Sequence, residues 1–183
     1  RYDLGAASGF VDALGTYRSE RVGLRERATV VVLSRGNDLD FTHPTFHGWA
    51  KPLLLVPESA GSSLDDVAAF HGIEMRRLPV LDLDTALASL RTDGHETVLI
   101  EAGASTTRPR YAAGRGFDEL VLSRFLGAAI DSRAIGGEFP DRATLERIYG
   151  EPRHEHSLDE ASGEWSIARY RRASGKSIPP REA

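Results

Sequence analysis

Short apolar runs recur along the middle of the chain, separated by polar segments that carry glycine, proline or aspartate. The clearest run is Ala28–Ser34 (ATVVVLS), whose four consecutive apolar residues include three valines and are typical of a strand buried on both faces. This alternation predicts an α/β fold, with a mostly parallel central sheet and helices on both of its faces. Further strands are predicted at Pro52–Val56, Ile73–Leu78, 97–101 and 117–124, and helices at Leu64–His71 and from Asp82 or Asp84 through Leu90.

The two ends of the chain have different patterns. Near the start, Gly9-Phe10-Val11 could form a short strand, and Gly15-Thr16 interrupts the pattern before an arginine-rich segment. Near the end, a helix is predicted over Arg142–Tyr149. Two strands, His154–Leu158 and Trp165–Tyr170, flank a turn and predict an antiparallel C-terminal hairpin.

Composition suits one globular domain, since the chain has 183 residues, of which 40% are hydrophobic and 27% charged. We predict that this domain covers residues 1–173 and that 174–183 form a disordered tail. Because the chain begins with Arg1 and its single methionine is Met75, we also expect a segment upstream.

Charge and cysteine content narrow the functional classes. A net charge of −4 gives no general reason to expect nucleic acid or an anionic membrane as a partner, and no apolar run approaches a membrane span. The chain has no cysteine, which removes disulfides, thiolate metal sites and cysteine nucleophiles and makes the reducing cytoplasm the expected location. We predict no metal site, since Pro44 interrupts the His43/His47 pair and His154/His156 offer only two ligands.

A turn of small residues follows the predicted strand at 97–101. From Glu101 to Thr107 nothing larger than threonine follows the glutamate, so a ligand could approach the backbone closely. Thr106 or Thr107 is predicted to cap a helix with Pro109 in its first turn, which leaves backbone N–H groups free for a phosphate. The alternative is a simple strand-to-helix turn in which small residues only permit close packing.

A second anion signal lies at the end of the valine-rich strand. Ser34 and Arg35 provide a hydroxyl and a guanidinium where open α/β sheets bind ligands, beyond the carboxyl ends of their strands. Arginine makes paired hydrogen bonds to phosphate, so the pair could hold the 2′-phosphate of NADPH. A solvated turn arginine is the alternative.

These signals belong to an ordered series of short motifs that extends over roughly residues 8 to 172. The series resembles the pyrimidine reductases of riboflavin biosynthesis, meaning the C-terminal reductase domain of the bifunctional deaminase-reductase, and its start is similar to the cofactor half of dihydrofolate reductases. The motifs are the family's glycine-threonine turn at Gly15-Thr16, Val30–Ser34, Asp38-Leu39-Asp40 with Pro44 and Phe46, Lys51-Pro52-Leu53, Glu101-Ala102-Gly103-Ala104, Phe117-Asp118-Glu119-Leu120 and Ala168-Arg169-Tyr170.

The resemblance implies a dihydrofolate reductase-like fold and a homodimer. It further implies NADPH-dependent hydride transfer to a heterocycle, such as a ribosylamino-pyrimidine phosphate or a pterin-like compound. The cofactor supplies the hydride, and a carboxylate or a water that it positions is the usual proton donor. By position, Gly15 and Thr16 would contact the cofactor phosphates, and Ser34 and Arg35 would contact the 2′-phosphate. The pyrophosphate would be bound by Gly103, Ala104, Ser105 and Thr106.

The implied catalytic candidates are two glutamates. Glu101 would orient the pyrophosphate turn or approach the nicotinamide, and Glu20 falls near an aspartate in a substrate-contacting loop of the family, although a surface salt bridge is its alternative role. A substrate phosphate would be bound by Arg18, Arg21 or Arg25.

The chain also departs from the family pattern. Ala102 and Ala104 replace a glycine and a proline of the turn, Asp12 stands where the family has an apolar strand residue, and Phe125 replaces a common proline. The first strand of the family, with its Ser-Leu-Asp-Gly segment, has no counterpart in this sequence. A second hypothesis is therefore a degenerate, non-catalytic nucleotide-binding or dimerisation module on the same fold.

Overall fold

Two three-stranded sheets, one parallel and one antiparallel, make the chain mixed α/β. The computed structural model describes residues 8–25, 27–47, 50–126, 139–160 and 163–172. Its contacts divide the chain into two units, Arg1–Val98 and Leu99–Ala183. The predicted tail at 174–183 lies outside the described residues, and the single domain over 1–173 stays a prediction.

The first unit contains the parallel sheet, in the order β1-β2-β3. Its strands confirm that the three runs predicted between Ala28 and Leu78 form strands, but β1 is a half-buried edge strand, and the strand buried on both faces is β2. Asp82 caps α4 by accepting a hydrogen bond from the Thr85 N–H (2.7 Å). The elements are α1 (Ser8–Thr16), a π-helical turn (Tyr17–Arg21), β1 (Thr29–Leu33), α2 (Pro44–His47), β2 (Lys51–Pro57), α3 (Ser63–Phe70), β3 (Glu74–Leu78) and α4 (Leu83–Thr92).

Helices cover both faces of this sheet, as the alternation of strands and helices predicts. On one face Leu53 and Leu55 of β2 pack with Ala86 and Leu90 of α4. On the other face Leu54 and Val56 pack with Phe41, Phe46 of α2 and Ala68 of α3. Because successive strand residues point to opposite faces, β2 contributes alternate side chains to two separate cores.

The second unit contains the antiparallel sheet, in the order β4-β6-β5. Leu145 and Tyr149 of α6 pack with Ala168 and Tyr170 of β6 and with Tyr111 of α5 to form its core. The predicted helix at Arg142–Tyr149 and the C-terminal hairpin are confirmed. The elements are α5 (Ala104–Ala112), β4 (Glu119–Phe125), α6 (Arg142–Tyr149), β5 (His154–Glu160) and β6 (Gly163–Arg171).

Three expectations about the fold are corrected. The segment Gly9–Val11 belongs to α1 and is not a strand. The predicted strand at 97–101 is wrong, because residues 95–103 have no regular structure and the Leu99 side chain is 83% exposed. An apolar β-branched run forms a strand only where a neighbouring strand pairs with it, and the described residues give this run no such partner. The strands accordingly lie in two sheets instead of one central sheet.

Gly116 supports the core of the second unit through its backbone conformation. Its φ is +52°, and an added Cβ would lie 2.7 Å from the Tyr149 hydroxyl oxygen. That hydroxyl accepts a hydrogen bond from the Phe117 N–H (2.8 Å), so it has little freedom to move away. Gly114 has a similar φ of +68°, but its added Cβ would meet nothing within 4 Å.

We expect Gly116→Ala to lower the free energy of unfolding by clearly more than Gly114→Ala. Both variants place alanine in the left-handed region, at a cost of about 1–2 kcal/mol, and only Gly116→Ala adds a collision with Tyr149. Urea unfolding of both variants measures the difference. Equal losses of stability would show that the contact between Gly116 and Tyr149 is loose.

The buried tyrosine pair of the second unit predicts a pH dependence. Tyr111 is 2% exposed, and its burial, with a smaller contribution from Tyr149, raises the pKa of Tyr111 above its ordinary value of 10.0. Burial also raises the pKa of Tyr149. The folded protein therefore keeps protons that the unfolded chain releases above pH 10.

We expect the free energy of unfolding to fall as pH rises above 10, by at most about 1.4 kcal/mol per pH unit for each such tyrosine. Tyr111→Phe should reduce the late part of the tyrosinate absorbance titration, meaning the increase in absorbance at the highest pH. Tyr17→Phe, which removes an exposed tyrosine, is the control. An unchanged late step in Tyr111→Phe would contradict the assignment.

Candidate functional site

The carboxyl end of β1 continues into a tight turn at Ser34–Gly36. The Ser34 N–H donates to the Leu55 carbonyl (3.0 Å), so Ser34 still lies in the sheet, and its Oγ accepts a hydrogen bond from the Gly36 N–H (3.1 Å). Gly36 has a φ of +87°, and an added Cβ would lie 3.1 Å from Leu64 Cδ2 of α3. The turn is thus held against α3 and leaves the Arg35 side chain exposed.

A cleft of about 410 Å³ opens at this edge of the sheet. It falls within the range of about 300–1,000 Å³ that is usual for small-molecule sites. Its polar groups are a guanidinium, an amide and a hydroxyl, and none of its lining residues is a carboxylate. The lining residues are Arg35, Asn37, Pro57, Ser59, Ala60, Gly61 and Leu81.

Arg35 is the main charged group at the cleft. Within the described residues its guanidinium makes no hydrogen bond and no ion pair, so its five N–H donors are available to a ligand. A guanidinium matches the oxygens of a phosphate with two parallel hydrogen bonds. Since no carboxylate lines the cleft, the arrangement suits anion binding and not proton transfer.

Arg77 of β3 fixes the opposite wall of the cleft. Its guanidinium donates to the carbonyls of Ala60 (2.6 Å) and Glu58 (3.2 Å), and it pairs with the Asp65 carboxylate at 2.7 Å. The loop at 58–61 is therefore tied to the edge strand and to α3. The sequence interpretation missed Arg77, whose only signal was a charged residue inside a short predicted strand.

The first turn of α5 brings together the four residues expected to meet a pyrophosphate. Gly103 is the N-cap, with ψ of 166°, and Ala104, Ser105 and Thr106 follow in the helix. The prediction that Thr106 or Thr107 caps this helix is wrong, because the N–H groups of both donate to the Gly103 carbonyl. An extended Gly103 starts the helix earlier, and Pro109 lies inside it and not in its first turn.

This turn has the features of an anion-binding helix start. The first N–H groups of a helix have no intrahelical acceptor, and the first turn of α5 carries no acidic residue. A Cβ added at Gly103 would meet nothing within 4 Å, so the space beside its backbone is open. Glu101 lies two residues before the cap and is exposed.

Gly15 and Thr16 do not form the expected turn. They end α1, which continues directly into the π-helical turn, and their carbonyls accept hydrogen bonds from the Ser19 hydroxyl at 3.2 Å. Their backbone N–H groups lie inside a helix, because the chain stays helical through this point. A contact from this pair to a cofactor phosphate would therefore depend on the Thr16 hydroxyl alone.

The candidate substrate-binding residues are grouped, but at the other end of β1. Arg18, Glu20 and Arg21 lie on the π-helical turn, and the Arg18 Nε donates to the Arg25 carbonyl (3.1 Å). Arg25 precedes β1 and therefore lies at the amino edge of the sheet. The five residues of β1, roughly 16 Å long at about 3.3 Å per residue, lie between it and Arg35.

Comparisons with known proteins do not assign this chain to a family. No protein-family model matches it, and no curated protein matches it significantly. In the part of the chain that the structure describes, no helix is long and apolar enough to cross a membrane. Nor do the described residues bring three or more histidine or carboxylate side chains together as a metal site.

We expect Arg77→Met to loosen the loop at 58–61 and to lower the free energy of unfolding by about 1–3 kcal/mol, since hydrogen bonds from a charged donor are lost. Hydrogen–deuterium exchange of the Ala60 and Gly61 amides measures the loosening. Asp65→Asn is the matched control, because it removes only an exposed ion pair and should cost less. Similar exchange rates in Arg77→Met and the unchanged protein would contradict this role.

Proposed function

We propose that this protein binds NADPH, with Arg35 and Ser34 at the 2′-phosphate, and that it is an NADPH-dependent reductase with a dihydrofolate reductase-like fold. The observation that carries the proposal is the Arg35 guanidinium, without a partner among the described residues, beside a cleft at the carboxyl edge of the parallel sheet. Open α/β sheets bind their ligands outside the carboxyl ends of the strands.

The donor groups at this edge fit a phosphate dianion. Arg35 supplies a fork of N–H donors, while Asn37 and Ser59 add an amide and a hydroxyl from the lining of the same cleft. The loop held by Arg77 is preorganised, so less conformational entropy is lost when a ligand is bound. These features support a 2′-phosphate subsite more than a general surface role for Arg35.

The reductase chemistry comes from the sequence resemblance. NADPH would supply the hydride when bound, and the protein would hold the cofactor and deliver a proton to a heterocyclic substrate. Glu101 and Glu20 are our proposed proton donors, and Gly103–Thr106 the proposed pyrophosphate contacts. A homodimer in the cytoplasm is proposed on the same resemblance and on the absence of cysteine from the sequence.

A second candidate function is a non-catalytic nucleotide-binding module. Two observations favour it: no carboxylate lines the cleft at Arg35, and Gly15-Thr16 lie in a helix where the family pattern has a turn. The two candidates differ in one measurable property. A reductase oxidises NADPH in the presence of a pyrimidine or pterin substrate, whereas a binding module retains NADPH unchanged.

We expect Arg35→Gln to weaken NADPH binding by about tenfold to a hundredfold, because charge-assisted hydrogen bonds to the 2′-phosphate are lost. NADH, which lacks this phosphate, should bind the variant and the unchanged protein equally. Fluorescence titration with each dinucleotide measures both affinities.

Arg91→Gln is the matched control, since Arg91 is also an exposed arginine but lies on α4 away from the cleft lining. It should leave both affinities unchanged. An Arg35→Gln protein that binds NADPH as tightly as before, or that loses NADH binding to the same extent, would overturn the 2′-phosphate assignment.

A further inference from the structure

Two histidines lie side by side on β5, an outer strand of the antiparallel sheet. His154 and His156 are two residues apart, so both side chains belong to the same face of the strand. Their rings are nearly parallel, with an interplanar angle of 4° and ring centroids 6.4 Å apart. The pair therefore presents two imidazoles next to each other on one face of the sheet.

Glu155, the residue between the two histidines, belongs to the opposite face of the sheet. Its carboxylate accepts a hydrogen bond from the Ser166 hydroxyl (3.4 Å) and pairs with Arg142 of α6 at 3.4 Å. Ala168, its cross-strand partner on β6, packs in the core with Leu145 of α6. Helix α6 thus covers the face of Glu155, and the two histidines lie on the other face.

Both imidazoles are available to a ligand. His154 and His156 are exposed, and within the described residues neither ring makes a hydrogen bond or an ion pair. A neutral imidazole has one ring nitrogen that carries a proton and one that carries a free lone pair. Because that lone pair can bind a metal ion, neutral histidine is the commonest metal ligand among side chains.

The charges near the pair favour some ions over others. Arg169, the cross-strand partner of His154, donates to both carboxylate oxygens of Glu119, at 2.8 and 3.0 Å. This hydrogen bonding lowers the pKa of Glu119, and the charges of Arg171 and Arg153 add to the effect. Since the carboxylate is already paired with arginine, an ion at the histidines must be held by bonds to nitrogen and not by charge alone.

We propose that His154 and His156 together chelate one divalent transition-metal ion of the copper, nickel and zinc class, with water in its remaining coordination positions. Imidazole nitrogen suits these ions, whereas Mg²⁺ and Ca²⁺ prefer oxygen ligands. Metal–nitrogen bonds of about 2.0–2.1 Å require the two exposed rings to turn toward each other from their separation of 6.4 Å.

The number of ligands sets the kind of site. Sequence alone argues against a metal site, because two histidines are fewer than the four ligands of structural zinc. The geometry instead supports an exchangeable ion on the surface, which does not hold the fold together. Neither histidine belongs to the proposed cofactor site, so this inference does not rest on NADPH binding.

The test uses the full chain without a histidine tag and titrates Cu²⁺, Ni²⁺, Zn²⁺ and Mg²⁺ separately by calorimetry. Cu²⁺ should bind most tightly, Ni²⁺ and Zn²⁺ more weakly, and Mg²⁺ not at all, which is the order expected for nitrogen ligands. His154→Gln and His156→Gln should each weaken Cu²⁺ binding by about tenfold to a hundredfold, because two linked ligands are reduced to one. Paramagnetic broadening of amide NMR signals by traces of Cu²⁺ locates the ion and should be centred on residues 154–156.

Two controls separate chelation from a general affinity of histidine for metals. His43→Gln removes an exposed histidine outside the pair and should leave Cu²⁺ affinity unchanged. The double variant His156→Ser with Ser157→His keeps the number of histidines but places them on opposite faces of β5, so it should bind Cu²⁺ as weakly as His156→Gln. Unchanged affinity in either single variant of the pair, tight binding by the double variant, or broadening centred elsewhere would each overturn the proposal.

Discussion

The burial of β2 on both faces is the constraint on which the first unit depends. Leu53, Leu54, Leu55 and Val56 are at most 3% exposed, and their side chains alternate between two cores. A shift of one residue in the register would exchange the two faces and place Lys51 and Glu74 against different neighbours. The central strand therefore fixes β1 and β3 and, through them, the position of each polar residue at the two edges.

Because of that register, different polar residues lie at the carboxyl and amino ends of the parallel strands. At the carboxyl edge, the turn after β1 presents Arg35 beside small residues, and Arg77 holds the facing loop through backbone carbonyls. At the amino edge, Lys51 of β2 pairs with Glu74 of β3, and Arg76 of β3 pairs with Asp93 at the end of α4. The cleft at Arg35 has no carboxylate in its lining, whereas Glu74 and Asp93 lie at the amino edge.

The sequence predicted the parts of the fold that local patterns determine. The apolar runs of β1 and β2 were enough to predict these two strands. Helix α6 has its predicted bounds because Asp141 caps it and Gly150 ends it. The predicted strand at 97–101 does not form, because a strand requires a pairing partner that local composition does not reveal. The placement of Ser34 and Arg35 at the carboxyl edge of the sheet could be predicted, because they directly follow the valine-rich run. The role of Arg77 and the ion pairs at the amino edge could not, since they arise from contacts between residues distant in sequence, such as Arg76 with Asp93.

The family resemblance and the geometry of the parallel sheet support different parts of the proposed function. The motifs that suggested the family are short, and one of them, Gly15-Thr16, has a helical backbone where the family pattern has a turn. The carboxyl-edge cleft does not depend on that motif, because Ser34, Gly36 and the loop held by Arg77 belong to one sheet and its immediate turns. An anion-binding role at Arg35 thus requires only the geometry of the first unit, whereas hydride transfer additionally requires the glutamates that the resemblance assigns.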